Sequence, residues 1–265
     1  MKCLSLFSGI GGFDLALTRL GHEIIGACEI DKYARSIYAK HFPKVTIHND
    51  ATTLQSESLP HFDLLCGGFP CQAFSVAGER RGFDECRGTL FFEIARIAKA
   101  KKPRYLLLEN VRGLLSHNKG ETFRTILSTL DEMGYDAEWQ VINSKYFVPQ
   151  NRERIYIIGH LRGQSTRQIF PIVSECDTEL YGKQVQESSG GSAHYLWKIN
   201  MSESTRRNIL SRYTVRRMTP LEYERLQGFP DNWTDGLSDT QRYKCCGNAV
   251  TVPVIEYIVR EFTNC

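Results

Sequence analysis

Apolar and polar positions follow two alternating periods along most of the chain. Short apolar runs typical of buried strands are separated by segments whose apolar positions recur three and four residues apart, as in helices. The predicted strands are 2–7, Glu23–Cys28, Val45–Ile47, Phe62–Cys66, Arg104–Leu108, Ala137–Ile142 and Ile155–Gly159. The predicted helices are Asp14–Leu20, Lys32–His41, Thr89–Lys101, Thr122–Met133, one begun by Thr219–Pro220 and ended at Gly228, and a C-terminal helix entered from a loop within Gly247–Ile258. This alternation predicts an α/β fold.

The periodicity fades after Leu161 and returns near Val215. The intervening stretch is polar and irregular, and Glu187–Ser192 has the composition of a flexible linker. We therefore expect three parts: 1–160, 161–214 and 215–265.

Composition narrows the class of protein. Of 265 residues, 42% are hydrophobic and 24% are charged, as in ordinary globular proteins. No run is long enough to span a membrane and no secretion signal precedes Phe7, so we expect a cytoplasmic protein. Nine scattered cysteines indicate reduced thiols and argue against a structural zinc site. A formal charge of +3 neither requires nor excludes a nucleic acid partner.

A glycine-rich turn lies between the first strand and the first helix. Ser8–Phe13 lacks the last spacing of the dinucleotide fingerprint, which favours a smaller cofactor than a dinucleotide. Glu29 ends the second strand about 20 residues further on, where a carboxylate accepts hydrogen bonds from a ribose. Asp50 follows the third strand. The alternative for both acids is an ordinary solvated or helix-capping carboxylate.

Nucleophilic chemistry is suggested at the end of the fourth strand. Cys71 follows two glycines and Pro70, at the sheet edge where open α/β sheets bind ligands, although a lone cysteine is often simply buried. Glu109 ends the fifth strand at the same edge, as an acid or base partner would. Arg152 and Arg154 point the same way and suit a phosphate or a base edge, unless they form ordinary salt bridges.

Six sequence blocks, in order and at similar spacing, resemble the bacterial and phage DNA (cytosine-5)-methyltransferases. The blocks are Phe7–Gly12, Gly68–Gln72, Glu109–Val111, Gln150–Arg154, Arg225–Pro230 and Gly247–Val250. The resemblance covers about residues 3–160 and 215–262. It implies a Rossmann-like, mostly parallel sheet with helices on both faces, plus a small irregular recognition region.

The resemblance also implies S-adenosylmethionine as cofactor and no metal. Glu29 would take the ribose hydroxyls and Asp50 the adenine amino group. The implied cofactor residues are Phe7, Ser8, Gly9, Gly11, Gly12, Glu29, Ile30, Asp50, Ala51, Pro70, Leu90, Asn248 and Val250.

The implied reaction is methyl transfer to C5 of cytosine in a specific double-stranded DNA sequence. Cys71 would add to C6, protonated Glu109 would hydrogen-bond N3 and neutralise the charge that develops there, and Arg154 would contact O2, with Arg152 beside them. The base must be flipped out of the duplex. Ser75, Arg80, Arg81 and Arg87, in a loop that resembles the family's mobile loop, would contact DNA. A monomer acting beside a cognate restriction endonuclease is expected.

The chain departs from the family between His160 and Val215, where the target-recognition domain is short. Three explanations are open. The region is naturally minimal, or it is truncated, or the missing part is supplied by another chain or was removed by an engineered deletion joined at Ser189–Ser192. The alternative functions are a cofactor-binding pseudo-enzyme or catalytic half, an RNA cytosine-5 methyltransferase, and a pure nucleic-acid-binding module.

Overall fold

A computed structural model of the protein describes residues 1–70, 90–171 and 218–263. The described strands are β1 Lys2–Leu6, β2 Glu23–Cys28, β3 Ile47–His48, β4 Leu64–Gly68, β5 Tyr105–Val111, β6 Tyr135–Asn143 and β7 Glu153–Leu161. The described helices are α1 Gly12–Arg19, α2 Lys32–His41, α3 Leu90–Lys101, α4 Glu121–Glu132, α5 Pro220–Gln227, α6 Asp239–Asn248 and α7 Val252–Thr263.

The strands form a seven-stranded sheet in the order β3-β2-β1-β4-β5-β7-β6. The first five positions in that order are parallel, whereas β7 runs antiparallel to both β5 and β6. The chain moves outward from β1 to β3 on one side and from β4 to β5 on the other. The order therefore reverses between β1 and β4, and ligands bind open sheets outside the strand ends at such a point.

Helices cover both faces of the sheet, as the sequence predicts. One face packs against α1, α2, α6 and α7, and the other against α3 and α4. The central strands are buried on both sides, which explains why their sequences read as continuous apolar runs. Among the described residues, no helix is both long and apolar enough to cross a membrane.

The C-terminal segment returns to the first half of the fold through a buried chain of hydrogen bonds. The hydroxyl of Thr251 donates to Oε1 of Gln227 across 3.0 Å and lies 2.8 Å from the hydroxyl of Ser144. All three side chains are buried. Because buried polar groups without partners are costly, this chain fixes how α5 and α7 meet the segment between β6 and β7.

Several element bounds differ from the sequence prediction, and β5 extends to Val111, so that Glu109 lies inside the strand rather than at its end. Gly67 and Gly68 are the last two residues of β4, whereas the prediction ended this strand at Cys66. A Cβ on Gly67 would come within 2.4 Å of the Leu6 carbonyl oxygen on β1, which explains the glycine there. β3 starts at Ile47 and β6 starts at Tyr135. Helix α6 was not predicted, because its sequence is largely polar.

Helix α5 confirms its predicted ends. Thr219 and Glu222 form a reciprocal capping box, Pro220 occupies the first turn, and Gly228 ends the helix at φ 81°.

Candidate active site

The turn between β1 and α1 has an unusual backbone. Phe7, Gly9 and Gly11 all have positive φ angles, of 53°, 56° and 86°. A Cβ placed on Gly9 would meet nothing within 4 Å, whereas one on Gly11 would collide with Phe42. The turn is thus packed on the side of Gly11 and open at Gly9, which leaves room for a ligand against the backbone.

Glu29 is tied to this turn. Its carboxylate accepts hydrogen bonds of 2.7 Å from the backbone N–H of Gly9 and of 2.7 Å from that of Asp31. Each carboxylate oxygen keeps further acceptor capacity for a ligand hydroxyl. The next residue, Ile30, has 71% of its surface exposed, so an apolar side chain stands free beside the carboxylate. The pair suits a ribose with an attached aromatic ring.

Asp50 lies at the end of the neighbouring strand and caps a short 3-10 turn. Its carboxylate accepts from the backbone N–H and the hydroxyl of Thr52, at 2.9 and 2.8 Å. Arg96 on α3 holds this segment by donating to the carbonyls of Ala51 and Leu54 at 3.0 and 2.9 Å. Asp50 therefore lies at the start of a loop whose position is fixed by hydrogen bonds from Arg96.

The end of β4 is fixed by a buried amide. Asn110, only 2% exposed, donates its Nδ2–H to the carbonyl of Phe69 across 2.9 Å, and its Oδ1 accepts from the N–H of Val111. Phe69 itself is buried, and Pro70 is exposed. This amide anchors the peptide two residues before Cys71, which lies outside the described residues.

Glu109 is a buried carboxylate on β5. Its Oε1 lies 3.0 Å from Nε of Arg154, and the side chains are only 11% and 19% exposed. Burial raises the pKa of Glu109 above its usual range, although Arg154 and then Arg152 oppose the shift. Such a carboxyl can hold a proton closer to neutral pH than an exposed one.

Arg152 faces the C-terminal segment. It donates to the carbonyl of Gly247 at 3.1 Å and to that of Ala249 at 2.9 Å, on either side of Asn248. Burial, followed by the nearby Arg154, lowers the pKa of Arg152. Its observed contacts hold the loop that carries Asn248 and Val250.

The remaining predicted cofactor residues lie along the same sheet edge. Val250 is buried, and its side chain comes within 2.7 Å of where a Cβ on Gly12 would stand. Ser8 is buried and its backbone N–H donates to the carbonyl of Cys28. Asn248 is exposed at the end of α6, and Leu90 begins α3. The predicted DNA contacts Ser75, Arg80, Arg81 and Arg87 lie outside the described residues.

Two residues that brace the site were not predicted. Arg96 supports the Asp50 loop, and Trp233 donates its indole N–H to the carbonyl of Ile10 across 2.9 Å. Neither has a sequence signal that separates it from an ordinary core or surface side chain. No group of three or more possible metal ligands occurs within residues 1–70, 90–171 and 218–263.

Comparison with known proteins assigns this sequence to a family. The family described as C-5 cytosine-specific DNA methylase matches residues 1–189 and 174–264. This chain belongs to that family. It is an enzyme that uses S-adenosylmethionine to methylate cytosine at C5 in DNA, and we refer to it below as the methyltransferase.

Its relatives are bacterial Type II methyltransferases. M1.ScrFI of Lactococcus lactis subsp. cremoris is 37% identical over an alignment that covers 98% of this chain and 77% of that protein. M.NlaX of Neisseria lactamica is 36% identical, with 98% and 95% covered. M.HhaI of Haemophilus parahaemolyticus is 31% identical, with 97% and 93% covered.

The alignment with M1.ScrFI spans 306 positions, more than the 265 residues of the methyltransferase. That relative therefore contains residues within the aligned region that have no counterpart in this chain.

Solved structures agree on the fold. The structure of a mutant of Spodoptera frugiperda DNMT2 superposes with a TM-score of 0.71 over 100% of both chains, at 19% identity. S. pombe Dnmt2 methyltransferase gives a TM-score of 0.67 at 21% identity. At these identities the likeness shows the fold alone.

Proposed function

We propose that the methyltransferase modifies cytosine within a specific double-stranded DNA sequence, on a flipped-out base, through a covalent bond from Cys71. The observation that carries this proposal is the buried pair of Glu109 and Arg154 beside the anchored peptide of Phe69. The acid on β5 and the cation on β7 thus lie at the edge of the sheet where the chain leaves β4 and continues to Cys71. The restriction-modification setting follows from the Type II names of the relatives.

The cofactor would lie across the ends of β1, β2 and β3. The open space at Gly9, the free acceptor capacity of Glu29 and the exposed Ile30 fit a ribose and an adenine. When bound, S-adenosylmethionine supplies an electrophilic methyl group. In this proposal Glu29 accepts from the ribose hydroxyls and Asp50 accepts from the adenine amino group. The other predicted cofactor residues would line the rest of the cofactor site.

Cys71 is the proposed nucleophile. The five described cysteines are buried, and burial raises the pKa of the Cys3, Cys28 and Cys246 thiols to about 12 and that of Cys245 to about 11. Burial also raises the pKa of Cys66 well above its usual range. Because the thiolate is the nucleophile, these five are poor candidates.

The chemical steps can be assigned to side chains. The Cys71 thiolate adds to C6 of the cytosine, while N3 takes the proton of Glu109, so that C5 gains the electron pair needed to attack the methyl group. Arg154 contacts O2 and steadies the ring. C5 would take the methyl group, whose bond to the cofactor sulfur breaks with the electron pair left on sulfur. A base then removes the C5 proton, the electron pair reforms the C5–C6 double bond, the Sγ–C6 bond breaks to release the thiolate, and N3 returns its proton to Glu109. We expect water to carry that proton.

Several finer assignments complete the proposal. Residues 161–214 form the reduced recognition region, and Ser75, Arg80, Arg81 and Arg87 contact DNA phosphates. Residues 1–160 and 215–265 form the catalytic part. A monomer paired functionally with a cognate endonuclease, a cytoplasmic location and a bacterial or phage origin stay predictions.

The test begins with labelled S-adenosylmethionine and a pool of unmethylated duplexes. Sequencing the modified cytosines gives the target site. A duplex with 5-fluorocytosine at that site should then form an adduct stable to denaturation, because fluorine cannot leave as a proton does. Cys71→Ser should abolish the adduct, whereas Cys86→Ser, the matched control, should retain it.

Glu109→Gln should lower kcat by about 10²- to 10⁴-fold, the usual contribution of general acid catalysis, and leave cofactor affinity unchanged. Label in RNA but not in DNA, or an adduct that survives Cys71→Ser, would contradict the proposal.

A further inference from the structure

The turn between β1 and α1 is held by a residue far away in sequence. The indole Nε1–H of Trp233 donates to the backbone carbonyl of Ile10 across 2.9 Å. Trp233 follows α5, and 223 positions separate the two residues. The side chain is only 6% exposed, so the hydrogen bond is shielded from water.

This hydrogen bond completes the fixation of one peptide unit. The carbonyl of Ile10 is bound by Trp233, and the N–H of Gly11 in the same peptide unit donates to the carbonyl of Ser8 across 2.9 Å. The N–H of Gly9 is in turn bound by Glu29. The turn is therefore held from both sides, by Glu29 at β2 and by Trp233 from the C-terminal segment.

Trp233 is itself locked in place. The ring of His41 stacks on the indole, with centroids 3.5 Å apart and an angle of 5° between the planes. Nε2 of His41 also lies 2.7 Å from the carbonyl oxygen of Trp233. Phe229 also packs against the indole, with ring centroids 5.3 Å apart and an angle of 33° between the planes. An indole held on these contacts presents its N–H in one direction.

We propose that Trp233 is a positioning residue for cofactor binding, which acts by fixing the Ile10–Gly11 peptide through its indole N–H. The inference rests on the proposed placement of S-adenosylmethionine against this turn. Without the hydrogen bond the turn samples other conformations, and binding must select the competent one, which weakens the apparent affinity. We expect DNA affinity to be independent of this peptide, because the proposed DNA contacts lie at other residues.

The test separates the effect of the indole N–H hydrogen bond from the effect of the ring's packing. Benzothienylalanine at position 233 replaces the indole N–H by sulfur and keeps the bicyclic shape. We expect the Kd for S-adenosylmethionine, measured by calorimetry, to rise about three- to ten-fold, the usual worth of one shielded hydrogen bond. The KM for DNA should stay constant. The same analogue at Trp139, on β6 and 45% exposed, is the matched control and should change neither value.

Glu29→Gln distinguishes failure of this inference from failure of the proposed cofactor site. If Glu29→Gln weakens cofactor binding and the analogue at position 233 leaves Kd within about two-fold of wild type, Trp233 has only a packing role and the inference is wrong. If neither change affects Kd, the cofactor does not bind at this turn, and both proposals fail. A lower melting temperature with an unchanged Kd also contradicts the inference.

Discussion

Nε of Arg154 lies 3.0 Å from Oε1 of Glu109, so the buried acid of the site is in direct contact with a cation. Two opposing influences act on the carboxyl. Burial raises the pKa of Glu109, and Arg154 lowers it. The balance decides up to which pH Glu109 keeps the proton that the proposed mechanism delivers to N3.

Replacing Arg154 shifts that balance in a known direction. Arg154→Gln removes the cation that lowers the pKa of Glu109, so the carboxyl stays protonated to higher pH. We expect the alkaline limb of kcat/KM against pH to move upward, while the rate itself falls because the contact to O2 is lost. Arg112→Gln, at an exposed ion pair with Glu153, should leave the profile in place. A downward shift for Arg154→Gln would contradict the assigned roles.

Asp14 makes the stability of the fold depend on pH. It is fully buried and accepts from the hydroxyls of Ser5 at 2.9 Å and Tyr38 at 2.8 Å, yet burial raises its pKa to about 6. The folded state therefore holds a proton that the unfolded state releases above pH ~4. Stability contributed by this group is present at low pH and lost as pH rises through about 6.

Asp14→Asn should remove this dependence. The free energy of unfolding of the variant, relative to wild type, should increase by up to about 3 kcal/mol between pH ~4 and pH ~7, measured by urea denaturation. A difference between the two proteins that is constant over this range would show that Asp14 does not titrate there.

Thr251→Val should weaken the attachment of the C-terminal segment. The change keeps the shape but removes the hydroxyl that links Gln227 and Ser144, which leaves buried polar groups without a partner. We expect a loss of about 1–3 kcal/mol in the free energy of unfolding. Thr125→Val is the matched control, because this half-buried hydroxyl donates only to the carbonyl of Glu121 within its own helix α4, and it should change the free energy of unfolding by less than about 0.5 kcal/mol. Equal effects would mean that the buried chain contributes nothing specific.

Gly9→Ala tests the open side of the glycine turn. The positive φ of 56° should cost about 1–2 kcal/mol of stability for any side chain. The added methyl group would also occupy the open space at Gly9 where the cofactor is proposed to bind, so Kd for S-adenosylmethionine should rise about ten-fold or more. Gly163→Ala, at φ 81° and equally open, carries the same strain away from the site. It should lower stability and leave Kd unchanged.

The sequence predicts those parts of the site that depend on local pattern. Glu29 directly follows β2 and Asp50 lies two residues after β3, as expected, whereas Glu109 lies inside β5, two residues before its last residue. The mostly parallel sheet follows from the alternation of strands and helices. The antiparallel β7 does not, because the direction of a strand after a hairpin depends on pairing rather than on periodicity.

Contacts between distant residues could not be predicted. Trp233 and Ile10 meet only because the C-terminal segment folds back, and Arg96 reaches the Asp50 loop from another helix. Arg152 was expected at the reacting base, and its contacts in the structure are with backbone carbonyls. The two glycines do end β4, but they belong to the strand, since both pair with neighbouring strands and nothing local in the sequence shows that pairing.

The C-terminal segment is joined to the first half by Gln227, Thr251 and Ser144, by Arg152 and by Trp233. The two parts that these contacts join are far apart along the chain, so one sheet edge is completed only after the last part of the protein has been made. During synthesis on a ribosome, the turn before α1 therefore waits for Trp233 before its final hydrogen bond can form.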